Sequence, residues 1–518
     1  MRYEGFTAED EARFIEFTGR GLTAIFIYTN KLLHNGERTV FNPDDRYERP
    51  IIISDVIYAP VSLFTKFLGA EYKKRCGKVT LKLGESTFSI KDDVKAGYLP
   101  CIETARALGF GVGKFSEDMF LVIGNEADIA AIREDEALSL AGAYALFGDY
   151  DTSSFTDADY AAVAKNYRDK LVGNEKINNM DNPYVREKVE AINKRCADAL
   201  LGLDRSGDPA ILWGTKLLKD TEDGARQYSY VRDLTKGYAT FGSDYYKNED
   251  VFKDIIYSLE WMNRHAYGDD MIEGRGWRDP KLPNWWYVYI GAPEILTEIL
   301  LILYNEISIE DRRRYLKFFI WVTTWMCLGP QSRATRIKIC TEYGILLHEP
   351  RFLIQESEDY DAMIEVVRKD YVNFSHTYPH NMSYGGILLS RGAYVASVLA
   401  GTPFEYSSPN AYKQFNRIKY MYEPAMYEGQ AFFMLSGRYT SGLVEASKGA
   451  GFLHNALSMI GVFGENEDAY IKQFLKRHSK NPVFKATIFR GASFADIAKY
   501  EEILNDDSIP YEYDYNYA

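Results

Sequence analysis

The sequence predicts a mainly α-helical protein with a small α+β domain near its N-terminus. From about residue 128 onward, apolar residues recur at helical spacing between Gly, Asn, Asp and Pro breaks, whereas residues 40–126 contain short alternating runs typical of strands. Several of the helical stretches are apolar nearly all round, as expected of helices packed on both sides. We therefore expect that the part of the chain after the small domain forms an (α/α) helical toroid or a helical bundle.

The length and composition are those of an ordinary globular protein. A chain of 518 residues is too long for one core, and 46% hydrophobic with 26% charged residues is a usual balance. The formal net charge of −13 argues against nucleic acid or an anionic membrane surface as the main partner. The 5 cysteines form no CxxC pair, so neither a disulfide framework nor a metal site is expected.

Two short stretches in the small domain resemble each other. "YAPVSLFTKFLGA" from Tyr58 and "YLPCIETARALGF" from Tyr98 share Tyr, Pro, Leu and Gly at matching offsets. Each predicts a short helix that ends at a glycine, Gly69 in the first stretch and Gly109 in the second. The pattern indicates an internal duplication.

The runs "KVTLKL", "STFSI" and "MFLVIG" predict strands between and after the two copies. The domain resembles the copper amine oxidase N-terminal-like domain, an accessory module of bacterial extracellular proteins, and without a histidine in this region no copper site is expected. We divide the chain into an N-terminal helical segment (1–39), the α+β domain (40–126), the helical domain (127–505) and a tail (506–518).

Two adjacent tryptophans lie in the stretch "GRGWRDPKLPNWWYVYIGAPEIL", before a helix expected to begin at about Pro293. Large aromatics are by default buried for packing. The stretch, however, resembles the motif N-W-W-x-x-x-I-G-x-P of polysaccharide lyase family 8, the hyaluronate, chondroitin and xanthan lyases. The matching positions are Asn284, Trp285, Trp286, Ile290, Gly291 and Pro293. The resemblance implies that Asn284 and the indoles, with Trp277 beside them, bind sugar in the cleft of a toroid.

A second stretch, "NFSHTYPHNMSYGG", is similar to the family pattern F-x-x-H-T followed by Y-G, allowing one-residue gaps. The resemblance implies that His376 and Tyr384 are catalytic. His380 is a competing candidate for the site histidine, and one of the two histidines can instead satisfy a carbonyl or cap a helix.

Two further stretches resemble family elements in part. "GRYTSG" is similar to G-R-x-x-S-R, so Arg438 is carried over, while Gly442 stands where the second arginine belongs. "LGPQSRATR" occupies the place of the G-x-N-R turn whose asparagine binds the substrate carboxylate, and either Gln331 or Ser332 replaces that asparagine. Arg333 either meets a sugar carboxylate or lies at a solvated helix start.

The resemblance implies β-elimination at a uronate. Hydrogen-bond donors such as Gln331 and His376 would hold the carboxylate and stabilise the developing enolate. Arg438 would lower the pKa of Tyr384, which would take the C5 proton and return one to the leaving oxygen. His376 is the alternative base. No metal or other cofactor is expected.

The sequence favours one function over two alternatives. The favoured function is a lyase of an acidic polysaccharide, such as a glycosaminoglycan or xanthan-like chain, on an incomplete toroid. The first alternative is a non-catalytic or degenerate polysaccharide-binding protein, because the family's asparagine, second arginine and C-terminal β-sandwich have no counterpart in this sequence. The second alternative is a glycoside hydrolase using acids such as Glu273, Asp279 or Glu342.

The cellular location also has two interpretations. The start "MRYEGFTAED" is too polar for a secretory signal, and no run reaches the roughly 18 apolar residues of a membrane span. We expect a monomer that is secreted or held at a bacterial cell surface, its signal removed before this numbering begins, with a cytoplasmic protein as the alternative.

Overall fold

The protein is described from a computed structural model. The described residues are 8–26, 30–44, 48–53, 56–91, 97–115, 120–135, 138, 155–214, 221–267, 286–323, 330–349, 352–353, 374–375, 378–379, 384–405, 412–427, 429–432 and 445–511. The chain forms two compact units, Met1–Tyr150 and Asp151–Ala518.

The described residues of the first unit form three antiparallel sheets and three helices. The strands are β1 Thr23–Phe26, β2 Lys31–His34, β3 Glu37–Val40, β4 Ile51–Ile53, β5 Val56–Pro60, β6 Glu71–Arg75, β7 Lys78–Leu83, β8 Ser86–Lys91, β9 Tyr98–Pro100, β10 Gly111–Phe115 and β11 Phe120–Gly124. The largest sheet has five strands in the order β10-β11-β1-β2-β3, and two three-stranded sheets have the orders β4-β5-β9 and β6-β7-β8. The helices are α1 Ala8–Thr18, α2 Cys101–Ala107 and α3 Glu126–Glu134.

The meander β6-β7-β8 follows the alternation seen in the sequence. Val79 and Leu81 of β7 are buried at 2% and 0% exposure, whereas Thr80 between them is half-buried and Lys78 and Lys82 on either side are exposed. Cys76 and Gly77 join β6 to β7 with φ angles of 51° and 70°, the backbone of a two-residue hairpin turn with both central residues at positive φ. The strands predicted from "KVTLKL", "STFSI" and "MFLVIG" are present as β7, β8 and β11.

The two similar stretches adopt matching conformations. In each, a strand ends at a proline, a helical segment follows, and a glycine at positive φ stops it: Leu63–Phe67 ends near Gly69 (φ 75°), and α2 ends near Gly109 (φ 94°). The strands pair so that Tyr58 opposes Pro100 and Tyr98 opposes Pro60. Equivalent residues therefore exchange places across the pair, which is the pairing expected of two copies related by a local twofold axis.

The N-terminal segment differs from the expected helical segment 1–39. Among its described residues only Ala8–Thr18 is helical, and β1 pairs with β11 from Thr23 opposite Ile123 to Phe26 opposite Phe120. The strands β1, β2 and β3 thus belong to the same sheet as β10 and β11. The α3 helix, expected in the helical domain, packs on β10, where Gly113 leaves room for Ile129.

The second unit is helical. Its helices are α4 Asp157–Leu171, α5 Pro183–Gly202, α6 Thr221–Ala239, α7 Glu249–His265, α8 Ala292–Ile302, α9 Ile309–Thr323, α10 Pro330–Leu347, α11 Gly386–Leu399, α12 Tyr412–Arg417, α13 Glu445–Ser458, α14 Glu465–His478, α15 Pro482–Gly491 and α16 Phe494–Asn505. Two short hairpins pair Phe374–Ser375 (β12) with Tyr378–Pro379 (β13), and Met426–Tyr427 (β14) with Gln430–Ala431 (β15).

A row of helices forms the inner layer of an (α/α) toroid, confirming the predicted helical fold class. In the row α6-α8-α10-α11-α13 each helix packs against the next. The helices α5, α7 and α15 each lie against one member of the row, and α9 lies against both α8 and α10. The α4 helix contacts α8, α10 and α11 on another side of the row. Because α8 is covered on several sides, it is apolar nearly all round: its residues Leu296, Ile299 and Leu300 are all 0% exposed.

The outer helix α7 has an apolar stripe. Its residues Val251, Ile255, Leu259 and Met262 are buried, as their spacing predicts. The helix begins after Asn248, whose side chain accepts hydrogen bonds from the first turn. The stretch "EPRFLIQESEDYDAMIEVVRKDY" also has helical periodicity; its residues 352–353 are helical, and most of the rest lies outside the described residues.

Candidate functional site

Tyr384 lies immediately before the inner helix α11. Its side chain is half-buried, and Gly385 next to it is buried. Leu389 and Ala393 of α11 are both 0% exposed and belong to the apolar core that includes α13. The position of the tyrosine is therefore set by a firmly packed helix, while part of its surface stays exposed.

The histidine candidates lie around a hairpin that the sequence did not indicate. Phe374 pairs with Pro379 and Ser375 with Tyr378, so His376 and Thr377 fall between the two strands, and Tyr384 follows five residues after the second strand. Both His376 and His380 lie outside the described residues.

Trp286 is one of the exposed large aromatics of the chain, at 41% exposure. Its ring meets Tyr287 edge to face, with centroids 5.2 Å apart. A Cβ atom at Gly291 would lie 2.8 Å from the Trp286 ring, so this glycine makes room for the indole. The tryptophan therefore lies at the surface at the entrance to α8, whereas Ile290 and Gly291 of the same motif are buried beneath it.

The stretch expected to form a G-x-N-R-like turn is the first turn of α10. Pro330 begins the helix, a position that tolerates proline because its N–H has no helical partner. Gln331 is the second residue of the helix, its side chain being outside the described part. Arg333 is half-buried. Arg333 lies in the first turn of α10, and a contact between it and a sugar carboxylate stays a prediction.

Charged side chains fix how the inner helices α8, α10 and α11 lie beside each other. Glu294 of α8 pairs with Lys338 of α10 at 3.6 Å and with Arg391 of α11 at 2.7 Å. One turn further along α8, the Thr297 hydroxyl donates to Glu342 of α10 at 2.6 Å. Residue numbers rise together in these contacts, so α8 and α10 run parallel. The α11 helix runs the same way, because α4 is antiparallel to both: Asp157 and Tyr167 lie near His348 and Glu342, and Tyr160 and Tyr167 lie near Phe404 and Tyr394.

The same contacts place three candidate residues at one level. Trp286, Gln331 and Tyr384 precede the charged residues Glu294, Lys338 and Arg391 by eight, seven and seven positions. At 1.5 Å per residue, each backbone lies roughly 10–12 Å along its helix from the charged cluster, toward the N-terminal end. The N-terminal ends of the three helices thus bring together residues that are nearly a hundred positions apart in sequence.

Glu342 is the one hydrolase candidate among the described residues. It is 1% exposed and pairs with Lys338 at 2.8 Å. Burial opposes the Lys338 ammonium, but the carboxylates of Glu342 and Glu294 outweigh it and raise the pKa of Lys338 above its ordinary value. Glu342 is thus a buried, paired carboxylate that holds inner helices together. Glu273 and Asp279 lie outside the described residues.

The remaining candidates also lie outside the described residues, so their roles stay predictions: Trp277, Asn284, Trp285 and Arg438. Among the described residues there is no group of three or more His, Cys, Asp or Glu side chains placed to hold a metal ion. No helix in the described ranges is long and apolar enough to cross a membrane.

Sequence reasoning missed a basic cavity next to α11. Lys170, Lys188 and Lys236 line it, together with Ser390 of α11 and Asn455 of α13. The three lysines come from the separate helices α4, α5 and α6, and each one alone reads as a solvated surface charge. No local spacing could have indicated that they meet.

The row α6-α8-α10-α11-α13 is the inner layer of a helical toroid domain. The description "polysaccharide lyase family 8, N terminal alpha-helical domain" matches residues 167–477, more than half of the chain. The chain belongs to polysaccharide lyase family 8.

Characterised proteins similar to the chain carry the names of lyases. The polysaccharide lyase 8 family protein HylA of Enterococcus faecalis is 24% identical over 302 residues, covering 54% of this chain and 21% of that protein. Xanthan lyase of Bacillus sp. (strain GL1) is 22% identical over 317 residues, with 59% and 33% covered. Hyaluronate lyase of Staphylococcus aureus is 21% identical over 393 residues, with 68% and 48% covered. The chain therefore spans about a fifth to a half of the length of these relatives.

Solved structures agree on the fold. Paenibacillus xanthan lyase superposes with a TM-score of 0.61 at 20% identity, covering 68% of this chain and 34% of that one. Chondroitin AC lyase of Streptomyces coelicolor in complex with chondroitin sulphate gives a TM-score of 0.57 at 16% identity, with 67% and 49% covered. At this identity the likeness establishes the fold alone.

Proposed function

We propose that the protein cleaves a uronic-acid-containing polysaccharide, a glycosaminoglycan or xanthan-like chain, by β-elimination. The observation that carries the proposal is the common level of Trp286, Gln331 and Tyr384 at the N-terminal ends of three parallel inner helices. A single groove along these ends can present a stacking ring, an amide and a phenol to one bound sugar chain. The names of the relatives, which include hyaluronate and xanthan lyases, support an acidic polysaccharide as substrate.

The chemistry assigns a role to each group. Trp286 stacks against a sugar ring, since its exposed indole offers an apolar face at the surface. Gln331 and His376 hold the uronate carboxylate and stabilise the enolate that forms when the C5 proton leaves. Tyr384 takes that proton as a phenolate, kept ionised by Arg438, and the phenol then protonates the C4 oxygen as the C4–O bond breaks. His376 is the alternative base.

Asn284, Trp285, Trp277, Arg333 and His380 are the proposed further contacts to the sugar chain. A polysaccharide of this kind is too large to enter a cell intact, so we place the activity outside the cell or at its surface.

The test is incubation with a panel of hyaluronate, chondroitin sulphate and xanthan while the ultraviolet absorbance of unsaturated uronate is followed. We expect one polymer to yield this chromophore, and Tyr384→Phe to reduce the rate by ~10²-fold or more because the proton-transferring group is gone. Tyr246→Phe is the matched control, since Tyr246 is 43% exposed and lies in the α6–α7 connection. Equal rates for wild type and Tyr384→Phe would overturn the role of Tyr384. No chromophore from any polymer would overturn the proposed activity.

A further inference from the structure

A cavity of about 580 Å³ opens beside the first turns of α11. Gly386, Ile387 and Ser390 of that helix line it, beginning two residues after Tyr384. The opposite lining consists of lysines from α4, α5 and α6 and of polar residues from α13 and the start of α16. The cavity therefore adjoins the level at which the candidate site residues lie.

Two of the three lysines have carboxylate partners. Lys170 pairs with Asp496 at 3.3 Å, and this pair is almost entirely buried, with side-chain exposures of 9% and 4%. Lys236 pairs with Glu298 at 2.5 Å. Their charges are thus balanced within the protein.

Lys188 differs from the other two. Its ammonium donates to the Arg490 carbonyl at 3.2 Å, and within the described part of the chain it forms no ion pair with a carboxylate. Burial, together with the nearby cations Lys236 and Arg195, lowers the pKa of Lys188 to about 8, while Glu187 acts in the opposite direction. A partly desolvated ammonium without a counter-charge is costly for a folded protein unless something supplies the charge.

The other polar groups of the cavity suit an anion or are neutral toward it. His454 uses its Nε2–H to donate to the Ile488 carbonyl at 2.7 Å, and burial lowers the pKa of this histidine, so it is uncharged at neutral pH. Asn455 adds an amide to the lining. The one carboxylate in the lining, Asp496, is held by Lys170, Ser458 and Ser493.

We propose that this cavity binds an anionic oxyacid group, a carboxylate or a sulfate, with the Lys188 ammonium as its counter-charge. The binding site is inferred from the geometry of the cavity. The source of the anion is inferred from the proposed function: we expect it to be a substituent of an acidic sugar chain that continues past Tyr384 along α11. Because the whole protein carries a net charge of −13, such a local basic cavity is what allows it to hold a polyanion.

The experiment is calorimetric titration of the full chain with D-glucuronate, sodium sulfate and neutral glucose, at constant ionic strength. We expect glucuronate or sulfate to bind and glucose not to. Lys188→Gln should weaken anion binding at least 10-fold. Lys194→Gln, which removes an exposed lysine from the same helix α5, should leave it unchanged. Binding of glucuronate without sulfate identifies a uronate as the source, and the reverse result identifies a sulfate ester.

A stability measurement separates a binding role from a structural one. If Lys188 serves a ligand, Lys188→Gln without anion is at least as stable to urea as wild type, since an uncompensated charge is removed. A clear loss of stability, anion affinity equal to that of wild type, or no anion binding by wild type would each overturn the proposal. Anion binding and cleavage are measured independently. If anion binding requires Lys188 but no unsaturated product forms, only the proposed lyase activity is contradicted. If unsaturated product forms but no anion binds in this way, only the proposed anion site is contradicted.

Discussion

His478 is a buried neutral imidazole that holds the β14-β15 hairpin. It is 3% exposed, and its Nδ1 accepts a hydrogen bond from the Gly429 N–H at 2.9 Å. Burial lowers the pKa of His478 to about 4, and the Arg477 charge adds to the effect. The residue matters for the site because the hairpin leads directly into the segment that carries Arg438.

This histidine makes the helical unit sensitive to acid. The unfolded chain, with an ordinary histidine pKa of 6.5, binds the proton before the folded state does, so stability falls as pH drops from about 6.5 to about 4. Above that window His478 adds no pH dependence. The full effect is about 3 kcal/mol. Urea unfolding at a series of pH values measures it.

The matched variant is His478→Asn, whose side-chain oxygen can accept the same Gly429 hydrogen bond without titrating. We expect this variant to lose less stability between neutral pH and pH 4 than wild type. An identical loss in both proteins contradicts the assignment of this acid sensitivity to His478.

At the residue scale, sequence motifs identified candidate site residues but did not reveal which side chains surround them. Trp286 could be found from its neighbours Asn284 and Gly291, yet only the structure shows that Gly291 makes room for the indole. Lys188 and His478 stand in no motif, because their roles depend on helices distant in sequence. Two assignments remain predictions: that His376 rather than His380 is the site histidine, and that Tyr384 rather than His376 is the catalytic base.

At the element scale, α13 packs closely on the β14-β15 hairpin. A Cβ atom at Gly449 of α13 would lie 1.7 Å from the Gly429 carbonyl oxygen, which is backbone and cannot move aside without shifting the hairpin. Gly451, two residues further along the same helix, has open space at its Cβ position. A side chain is therefore excluded at position 449 by the hairpin backbone, whereas position 451 has room for one.

We predict that Gly449→Ala destabilises the helical unit by about 1–3 kcal/mol, the usual range for overpacking. Gly451→Ala, its control, should be neutral or stabilising by roughly 0.5–1 kcal/mol because alanine is the better helix former. The measurement is the urea concentration at the midpoint of unfolding for each variant and for wild type. Equal midpoints for both variants would show that the close contact is absent.

Elements with strong local patterns were predictable, and elements that depend on distant partners were not. The α7 stripe and the strands β7 and β8 follow from periodicity alone. The strands β1 and β2, "TAIF" and "KLLH", are only four residues long, and β1 pairs with β11 nearly a hundred residues away. The expected turn at Pro330 proved to be a helix start because proline fits the first helical position equally well.

At the scale of the whole molecule, the chain combines a helical domain of family 8 with a separate α+β unit. The family match begins at residue 167, so it leaves the first unit unassigned. The local twofold pairing of β5 with β9 supports the duplication within that unit. The resemblance of residues 40–126 to the copper amine oxidase N-terminal-like domain, the domain boundaries and the monomeric state remain predictions.

The central claim is that the protein cleaves a polysaccharide by β-elimination rather than by hydrolysis. The most direct measurement is mass spectrometry of the cleavage products formed in water enriched in ¹⁸O, analysed before their reducing ends exchange oxygen with the solvent. Elimination predicts unsaturated products that contain no ¹⁸O and whose masses add up to that of the substrate. Products that carry ¹⁸O at the new reducing end, each pair heavier than the substrate by one water, would contradict the account.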